Sequence, residues 1–380
     1  MTSPVFDFDA LRRRPDIEAP ELVAVDAADR LLLDEAAAAL AAPGADVTVI
    51  GDDYGALTLG ALDRHGLPRV RVHQDLLSGE LALAANAAAV GTDPARVENH
   101  AEPGPELVAG ATVVLLKLPR SLDALDATAR LVARHAHPDV VVFAGGRVKH
   151  MTRAMNDVLA RSFEDVRAGL GRQKARVLTA TRPRPGVPEG APRRARHEET
   201  GSWVCAVGGA FAGTGTDIGT RVLLDHLDEV AGAVGAPGTV VDLGCGTGLL
   251  AVAAARRFPR ARVVATDQSA DAVASARLTA AANGLADRVE VTRDDAGSRL
   301  PGGSVDLVLL NPPFHVGGAV HTAIASKLFH AAARVLRPGG TLVAVWNSHL
   351  TYRRELERVV GPTRQVARTP KFTLTASTRR

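Results

Sequence analysis

With 380 residues, 46% of them hydrophobic, the chain is long enough to bury more than one core, and two domains are expected. A formal charge of +3 permits a polyanionic partner without requiring one, and two cysteines, Cys205 and Cys245, exclude a disulfide framework and lack the spacing of a zinc site. The opening MTSPVFDFDALRRRPD has no apolar leader core and no apolar run approaches the roughly 18 residues of a membrane span, so a soluble cytoplasmic protein without membrane or metal partners is expected.

Residues 47–62, VTVIGDDYGALTLGAL, read as a strand that enters a helix through a tight glycine turn, the usual approach to a nucleotide site. Further apolar runs follow in RVRVHQD, TVVLLKLP and DVVVFAGG, separated by Ala-rich helical stretches. That alternation predicts a mostly parallel sheet with helices on both faces. Residues 172–196, RQKARVLTATRPRPGVPEGAPRRAR, carry eight Arg or Lys, four Pro and a single acid, a composition poorly suited to packing and read as a linker or exposed arm. The expected division is a first domain over 1–180, a basic Pro-rich linker over 181–197 and a second domain over 198–380.

The second half repeats the alternation in TVVDLGCG, ARVVATD, VDLVLLNPP and GGTLVAVWN. In VVDLGCGTGLLAVAAARRFP, Asp242 ends a strand, Gly244, Gly246 and Gly248 form the turn, and a helix follows. Glycines there let the backbone bend sharply and approach a ligand closely, in a dehydrogenase as readily as elsewhere. An acid before the first glycine suits a ligand with an amino group rather than a pyrophosphate. Asp267 lies about 20 residues beyond the turn, where a carboxylate can accept from both ribose hydroxyls. This pattern resembles the first motif of class I methyltransferases, which bind S-adenosylmethionine.

LVLLNPPFH, residues 307–315, ends a later strand. Two prolines remove two backbone donors, so the segment presents free carbonyls instead of continuing a ladder. The Asn311 side-chain oxygen and the Pro312 carbonyl can accept from a planar NH2 group and orient its delocalised lone pair, while Phe314 stacks on the ring. Asn311, Pro312, Pro313 and Phe314 are therefore the candidate catalytic group.

The order Phe211, Asp217, Thr220, the 242–248 loop, Asp267, Asp295 and Asn311 to His315 resembles the ribosomal RNA guanine-N2 methyltransferases. The stretches RVLRPGGTLVAVWNSHLTYRREL and TPKFTLTAS, with His349, Tyr352 and Lys371, resemble their large-subunit branch. The resemblance implies that Asp217 and Thr220 seat the methionine end of S-adenosylmethionine. It also implies that Asp267 and Gln268 hold the ribose region, that Asp295 and Ala296 hold adenine, and that Phe314, His315, His349 and Lys371 face the substrate. Asn is common in the family where this chain has Asp295. Transfer to the N2 amine of a guanosine in ribosomal RNA is the implied reaction, with rRNA or a ribosomal subunit as partner; a monomer is expected because a fused first copy can take the place of a partner subunit. Methylation of adenine N6 or of a protein glutamine amide stays open because such motifs serve planar NH2 groups generally, as does a non-enzymatic RNA-binding or ribosome-assembly module.

Laid on the second half, the first aligns Gly51 with Gly244 and Gly55 with Gly248, and the 66 residues from Gly51 to Lys117 match the 67 from Gly244 to Asn311. The fold expected is therefore α/β, with two tandem Rossmann-like methyltransferase folds, each a seven-stranded doubly wound sheet. In the first copy Val49, Asp53, Gln74 and Lys117 stand in place of Asp242, Gly246, Asp267 and Asn311. It is read as a degenerate copy that binds no cofactor and recognises RNA, with Lys117, Arg120, Arg147, Lys149, His150, Arg153 and the basic linker as a phosphate-tracking surface.

Overall fold

The computed structural model describes residues 6–210, 213–313 and 318–380, with side chains excluded for 318–321. Two compact units divide the chain, Met1–Ala191 and Pro192–Arg380. In the first, elements run α1 (Ala27–Leu40), β1 (Val47–Ile50), α2 (Ala56–His65), β2 (Val70–His73), α3 (Leu77–Ala89), β3 (Val97–His100), α4 (Pro105–Val108), β4 (Val113–Lys117), α5 (Leu122–His135), β5 (Val141–Arg147), α6 (Arg153–Ser162), β6 (Phe163–Ala168) and β7 (Ala175–Pro183). The second begins with a hairpin, β8 (Arg193–His197) and β9 (Ser202–Ala206), then α7 (Ile218–Asp225), α8 (Leu227–Val234) and β10 (Thr239–Leu243). It continues with α9 (Leu249–Arg257), β11 (Arg262–Asp267), α10 (Ala270–Ala282), β12 (Val289–Arg293), β13 (Val305–Leu310), α11 (Gly318–Val335), β14 (Leu336–Asn347), α12 (Arg353–Val359), β15 (Thr363–Arg368) and β16 (Phe372–Thr378).

Each unit carries a seven-stranded sheet among the described residues. Their orders, β3-β2-β1-β4-β5-β7-β6 and β12-β11-β10-β13-β14-β16-β15, are the same pattern. Five strands of each are parallel, and the last two join antiparallel. The continuous apolar runs are explained by burial on both faces. Along β13, Leu307 and Leu309 pack into one core while Val308 and Leu310 pack into the other, and Val113, Leu115, Val114 and Leu116 divide in the same way along β4. The two α/β folds expected from the alternation are both present.

The linker is not as expected. Residues 175–183 form β7, paired on both sides, with Val177, Leu178 and Ala180 buried. Residues 193–197 pair with β9, so the division between units falls at 191/192 within the supposed linker, not at its ends. Flanking Arg and Pro dominate the composition, whereas a strand needs only alternate apolar side chains, which RVLTAT supplies. Several of the basic groups are also engaged internally. Arg172 reaches Glu35 at 3.3 Å, Arg182 reaches Glu164 at 3.6 Å, and Arg194 lies 3.9 Å over the Trp203 ring.

Hairpin β8–β9 has a local role in shaping the second unit. His197 places Nε2 2.6 Å from the Thr214 carbonyl and Nδ1 2.6 Å from the Thr216 hydroxyl, fixing the chain that leads into Asp217 and α7.

Candidate active site

The turn between β10 and α9 is left-handed at Gly244, Gly246 and Gly248, with φ of +77°, +52° and +77°. A Cβ on Gly244 or Gly246 would meet nothing within 4 Å, so the backbone there is open to a ligand. A Cβ on Gly248 would lie 2.8 Å from the Ala276 side chain, so this third glycine serves the packing of α9 on α10. Asp267, at the end of β11, accepts from the Gly246 amide at 3.0 Å and from the Ser269 amide at 2.9 Å, which ties it to the turn.

Asp242 also makes a bond within the protein. It is 1% exposed, and its Oδ2 accepts from the Ala251 amide at 2.9 Å in the first turn of α9, clasping strand to helix beneath the turn. Burial, reinforced by the Asp267 charge, pushes its carboxyl up to about 7 against the lowering effect of the Ala251 bond. The second oxygen is buried and unpartnered among the described residues.

Beyond β12, Asp294 is 2% exposed and accepts from Ser298 Oγ at 2.5 Å and the Arg299 amide at 3.0 Å, which makes a closed loop of 294–299. The Asp294 amide donates to the Asp267 carbonyl at 2.9 Å, so Asp295 and Ala296 follow directly alongside Asp267. Ala296 has φ +52°, a strained value for a residue with a side chain. Gln268 contributes a buried Oε1, without a partner among the described residues, to the same region.

Asn311 follows β13 at the same carboxyl edge of the sheet. Its Nδ2 donates to Asp217 Oδ2 and to Thr220 Oγ1, both at 2.9 Å. Asp217 also caps α7 by accepting from the Gly219 amide at 3.0 Å. A carboxylate only accepts, so Asp217 dictates which end of the amide faces it. Asn311 Oδ1 is consequently turned away, buried and without a partner among the described residues. Leaving an acceptor in that state costs about 1–3 kcal/mol, which marks it as a group awaiting a donor. Asp217 and Thr220, implied as cofactor contacts, thus have an observed part in setting Asn311.

Gly219 explains the last glycine of GTDIG. A Cβ there would stand 2.7 Å from Asn311 Oδ1. We expect Gly219→Ala to reduce methyl transfer roughly tenfold or more by displacing the amide, because ångström-scale misplacement near reacting groups is that costly. The melting temperature should hold or rise, since Ala is the better helix former; activity assays beside thermal melts check both.

Among the remaining candidates, Pro312 is buried and Pro313 exposed. His349 and Lys371 are exposed in neighbouring loops at the end of β14 and the start of β16, joined by a 2.8 Å bond from the Ser348 amide to the Lys371 carbonyl. β14 pairs with β13, so these residues share the edge that carries Asn311. Tyr352 is a core residue, 5% exposed and edge-on to Phe329 and Trp346. Phe211, Phe314 and His315 lie outside the described residues.

The corresponding edge of the first unit is filled by its own side chains. Asp53 keeps the left-handed backbone of Gly246, at φ +58°. Its carboxylate lies 2.9 Å from Lys117 Nζ, and Lys117 also donates to Asp29 at 2.7 Å and approaches Asp26 at 4.0 Å. Asp26 caps α1 as Asp217 caps α7, so Asp26 and Asp29 stand as Asp217 and Thr220 do. Lys117 is therefore an internal ion-pair residue, not part of a free phosphate-binding surface. The clasp provided by Asp242 is also retained, moved to Asp52, whose buried carboxylate accepts from the Leu57 and Thr58 amides at 2.7 and 2.8 Å. Neither feature was apparent from the position-by-position alignment, although the spacing of Asp26 and Asp29 matches that of Asp217 and Thr220.

Comparison with known proteins agrees with this geometry. Residues 201–376 match the family described as Methyltransferase small domain, and residues 3–184 match the RLMG N-terminal domain. A protein of Streptomyces avermitilis named Ribosomal RNA large subunit methyltransferase G is 37% identical over 373 residues, covering 96% of this chain and 95% of its own. The chain belongs to that family. A member from Shewanella amazonensis is 34% identical over 366 residues, covering 96% and 94% of the two chains. Among solved structures, T. thermophilus 16S rRNA N2 G1207 methyltransferase in complex with AdoMet and guanosine superposes with a TM-score of 0.75 at 23% identity, covering 93% and 92%. That likeness is one of fold. The family resemblance drawn from motif order is confirmed, and the chain is an S-adenosylmethionine-dependent methyltransferase.

Proposed function

We propose that this chain transfers the methyl group of S-adenosylmethionine to the exocyclic N2 amine of one guanosine in ribosomal RNA. The observation that carries this reading is Asn311: both its donors are committed to Asp217 and Thr220, and its buried Oδ1 has no partner among the described residues. Bound cofactor supplies an electrophilic methyl on sulfonium sulfur. Asn311 Oδ1 and the Pro312 carbonyl accept from the target NH2, which turns its lone pair toward that methyl. As the new N–C bond forms and the S–C bond breaks, the amine becomes cationic and releases a proton to water, so no strong base is required. Phe314 stacks on the extruded base, with His315, His349 and Lys371 beside it.

For the cofactor, the open backbone at Gly244 and Gly246 takes the methionine end, Asp267 and Gln268 the ribose, and Asp295 with Ala296 the adenine. The first unit binds none, because Asp53 and Lys117 fill its equivalent place. It serves RNA instead. Arg120, Lys149 and Arg153 have no ion-pair partner among the described residues, and slight burial together with the charges of Arg120, Lys149 and Arg147 lowers the His150 pKa, as expected where cations converge.

Two measurements test this reading. Calorimetry should find one S-adenosylmethionine site per chain, lost in Asp267→Ala and kept in Gln74→Ala; two sites would refute the account of the first unit. Mapping of rRNA from a deletion strain should show one missing N2-methylguanosine. A complete rRNA pattern alongside an unmethylated adenine or protein glutamine would overturn the assignment of guanine.

A further inference from the structure

The loop of residues 294–300 is held from outside by one face of α11. Lys327 Nζ donates to Asp295 Oδ2 at 2.6 Å, and Arg334 donates to the Leu300 carbonyl at 2.7 Å and to the Gly297 carbonyl. Residues seven apart lie two turns along one helix face, so both cations address the same loop. The Asp295 side chain is 16% exposed and that of Lys327 is 34% exposed. Phe329, fully buried on the same helix, anchors it to the core beneath the sheet.

A carboxylate in that position has an electrostatic difficulty. Asp294, 2% exposed, precedes it, and Asp267 lies alongside through the bond between their backbones. A further anion there, largely withdrawn from water, is unfavourable unless a cation pairs with it. Lys327 provides that cation, and by engaging Oδ2 it leaves Oδ1 without a hydrogen bond among the described residues. An oxygen held in this way can accept from an exocyclic amine.

We propose that Lys327 is a positioning residue for the cofactor, fixing Asp295 so that Oδ1 receives the adenine amine and offsetting the charge that an Asp brings there. This rests on the assignment of Asp295 to the adenine. A neutral Asn at 295 would offer the same acceptor and would need no counter-charge. Lys327 therefore depends on Asp295 being an acid.

The test uses the full chain, with S-adenosylmethionine as the calorimetric probe and methylation kinetics read separately as kcat and KM. Lys327→Met should weaken cofactor binding about tenfold and raise the cofactor KM by a similar factor, with kcat at saturating cofactor within about twofold. Lys327→Arg should keep binding. The double variant Lys327→Met with Asp295→Asn should recover most of the affinity, which lost packing could not do. Thermal melts establish that each variant is folded.

Unchanged binding in Lys327→Met, with binding lost in Asp295→Ala, would overturn the role of Lys327 while leaving the adenine assignment standing. Weakened binding that Asp295→Asn does not rescue would also overturn it, assigning Lys327 to packing. Intact binding in Asp295→Ala would remove the assignment itself and the inference with it. None of these outcomes bears on which rRNA base is methylated, which the mapping decides.

Discussion

Replacing Asn311 by Ala should reduce kcat by roughly a hundredfold or more, the scale expected when a reacting amine loses its orienting partner, while S-adenosylmethionine affinity changes little. The separation follows from the two ends of the side chain. Nδ2 is engaged within the protein, by Asp217 and Thr220 at 2.9 Å each, and only Oδ1 is left for substrate. Asn311→Asp is a sharper test because it preserves shape. It puts a carboxylate oxygen against Asp217 Oδ2, replacing a donor–acceptor pair by repulsion between anions, so the side chain must turn or take up a proton. Turnover should fall as far as in the Ala variant, with the loss easing toward acid pH as one carboxyl of the pair is protonated. Single-turnover methylation and cofactor calorimetry, run in parallel across pH, check both expectations. An Asn311→Ala enzyme that kept its kcat and lost only cofactor affinity would assign the residue to cofactor binding.

Much of this site is legible from local sequence because its chemistry is local. Three glycines in five residues, an acid at the end of the next strand, and two prolines after an apolar strand each impose their conformation without distant partners. The doubly wound sheets are legible for a similar reason, since strands buried on both faces must be apolar throughout. The pairings that cross the chain were not legible. Lys117 and Asp53 register in an alignment as two separate losses, of Asn311 and of Gly246, although in the fold they lie 2.9 Å apart and answer one another. Lys327 is 32 residues from Asp295 and meets it only because α11 packs along that loop. Strand β7 was hidden by composition, because its buried Val177, Leu178 and Ala180 are outnumbered in their neighbourhood by Arg and Pro. Asp242 illustrates a different limit. Its place before the glycines is evident, but the bond to Ala251 that uses one oxygen depends on how α9 sits over the strand.

Replacing Lys117 by Met should destabilise the first unit by about 3 kcal/mol at pH 8, the usual scale for removing one partner of a buried pair, and by clearly less at pH 5. Asp29 determines the sign of that dependence. It is fully buried, and burial raises its carboxyl to about 6 even with Lys117 alongside. An acid whose folded pKa is raised favours folding most below its unfolded value near 4, and that contribution is lost as pH rises through 6. Burial would lower the Lys117 pKa, but Asp53, Asp29 and Asp26 outweigh it and raise it, so the ammonium stays charged at both pH values. Without the ammonium, the Asp29 pKa climbs further. At pH 5 the carboxyl is then neutral in the folded state of either protein and needs no counter-ion, whereas at pH 8 the variant must bury an uncompensated charge or take up a proton. Thermal melts across pH should therefore show the wild-type and variant curves diverging above pH 6, and Lys117→Met with Asp29→Asn should close most of that gap. Parallel curves would mean that Lys117 acts through its methylene stem. The functional consequence concerns the origin of the cluster. The second unit holds a carboxylate and a hydroxyl around the neutral Asn311 amide, where the proposed reading brings a cationic cofactor, while the first has built a permanent cation into the same position and surrounded it with acids. A fold that carries its own positive charge there needs no ligand to satisfy its carboxylates, so Lys117→Met should uncover unpaired acids and still bind no S-adenosylmethionine, because Gln74 stands where Asp267 is proposed to meet the ribose.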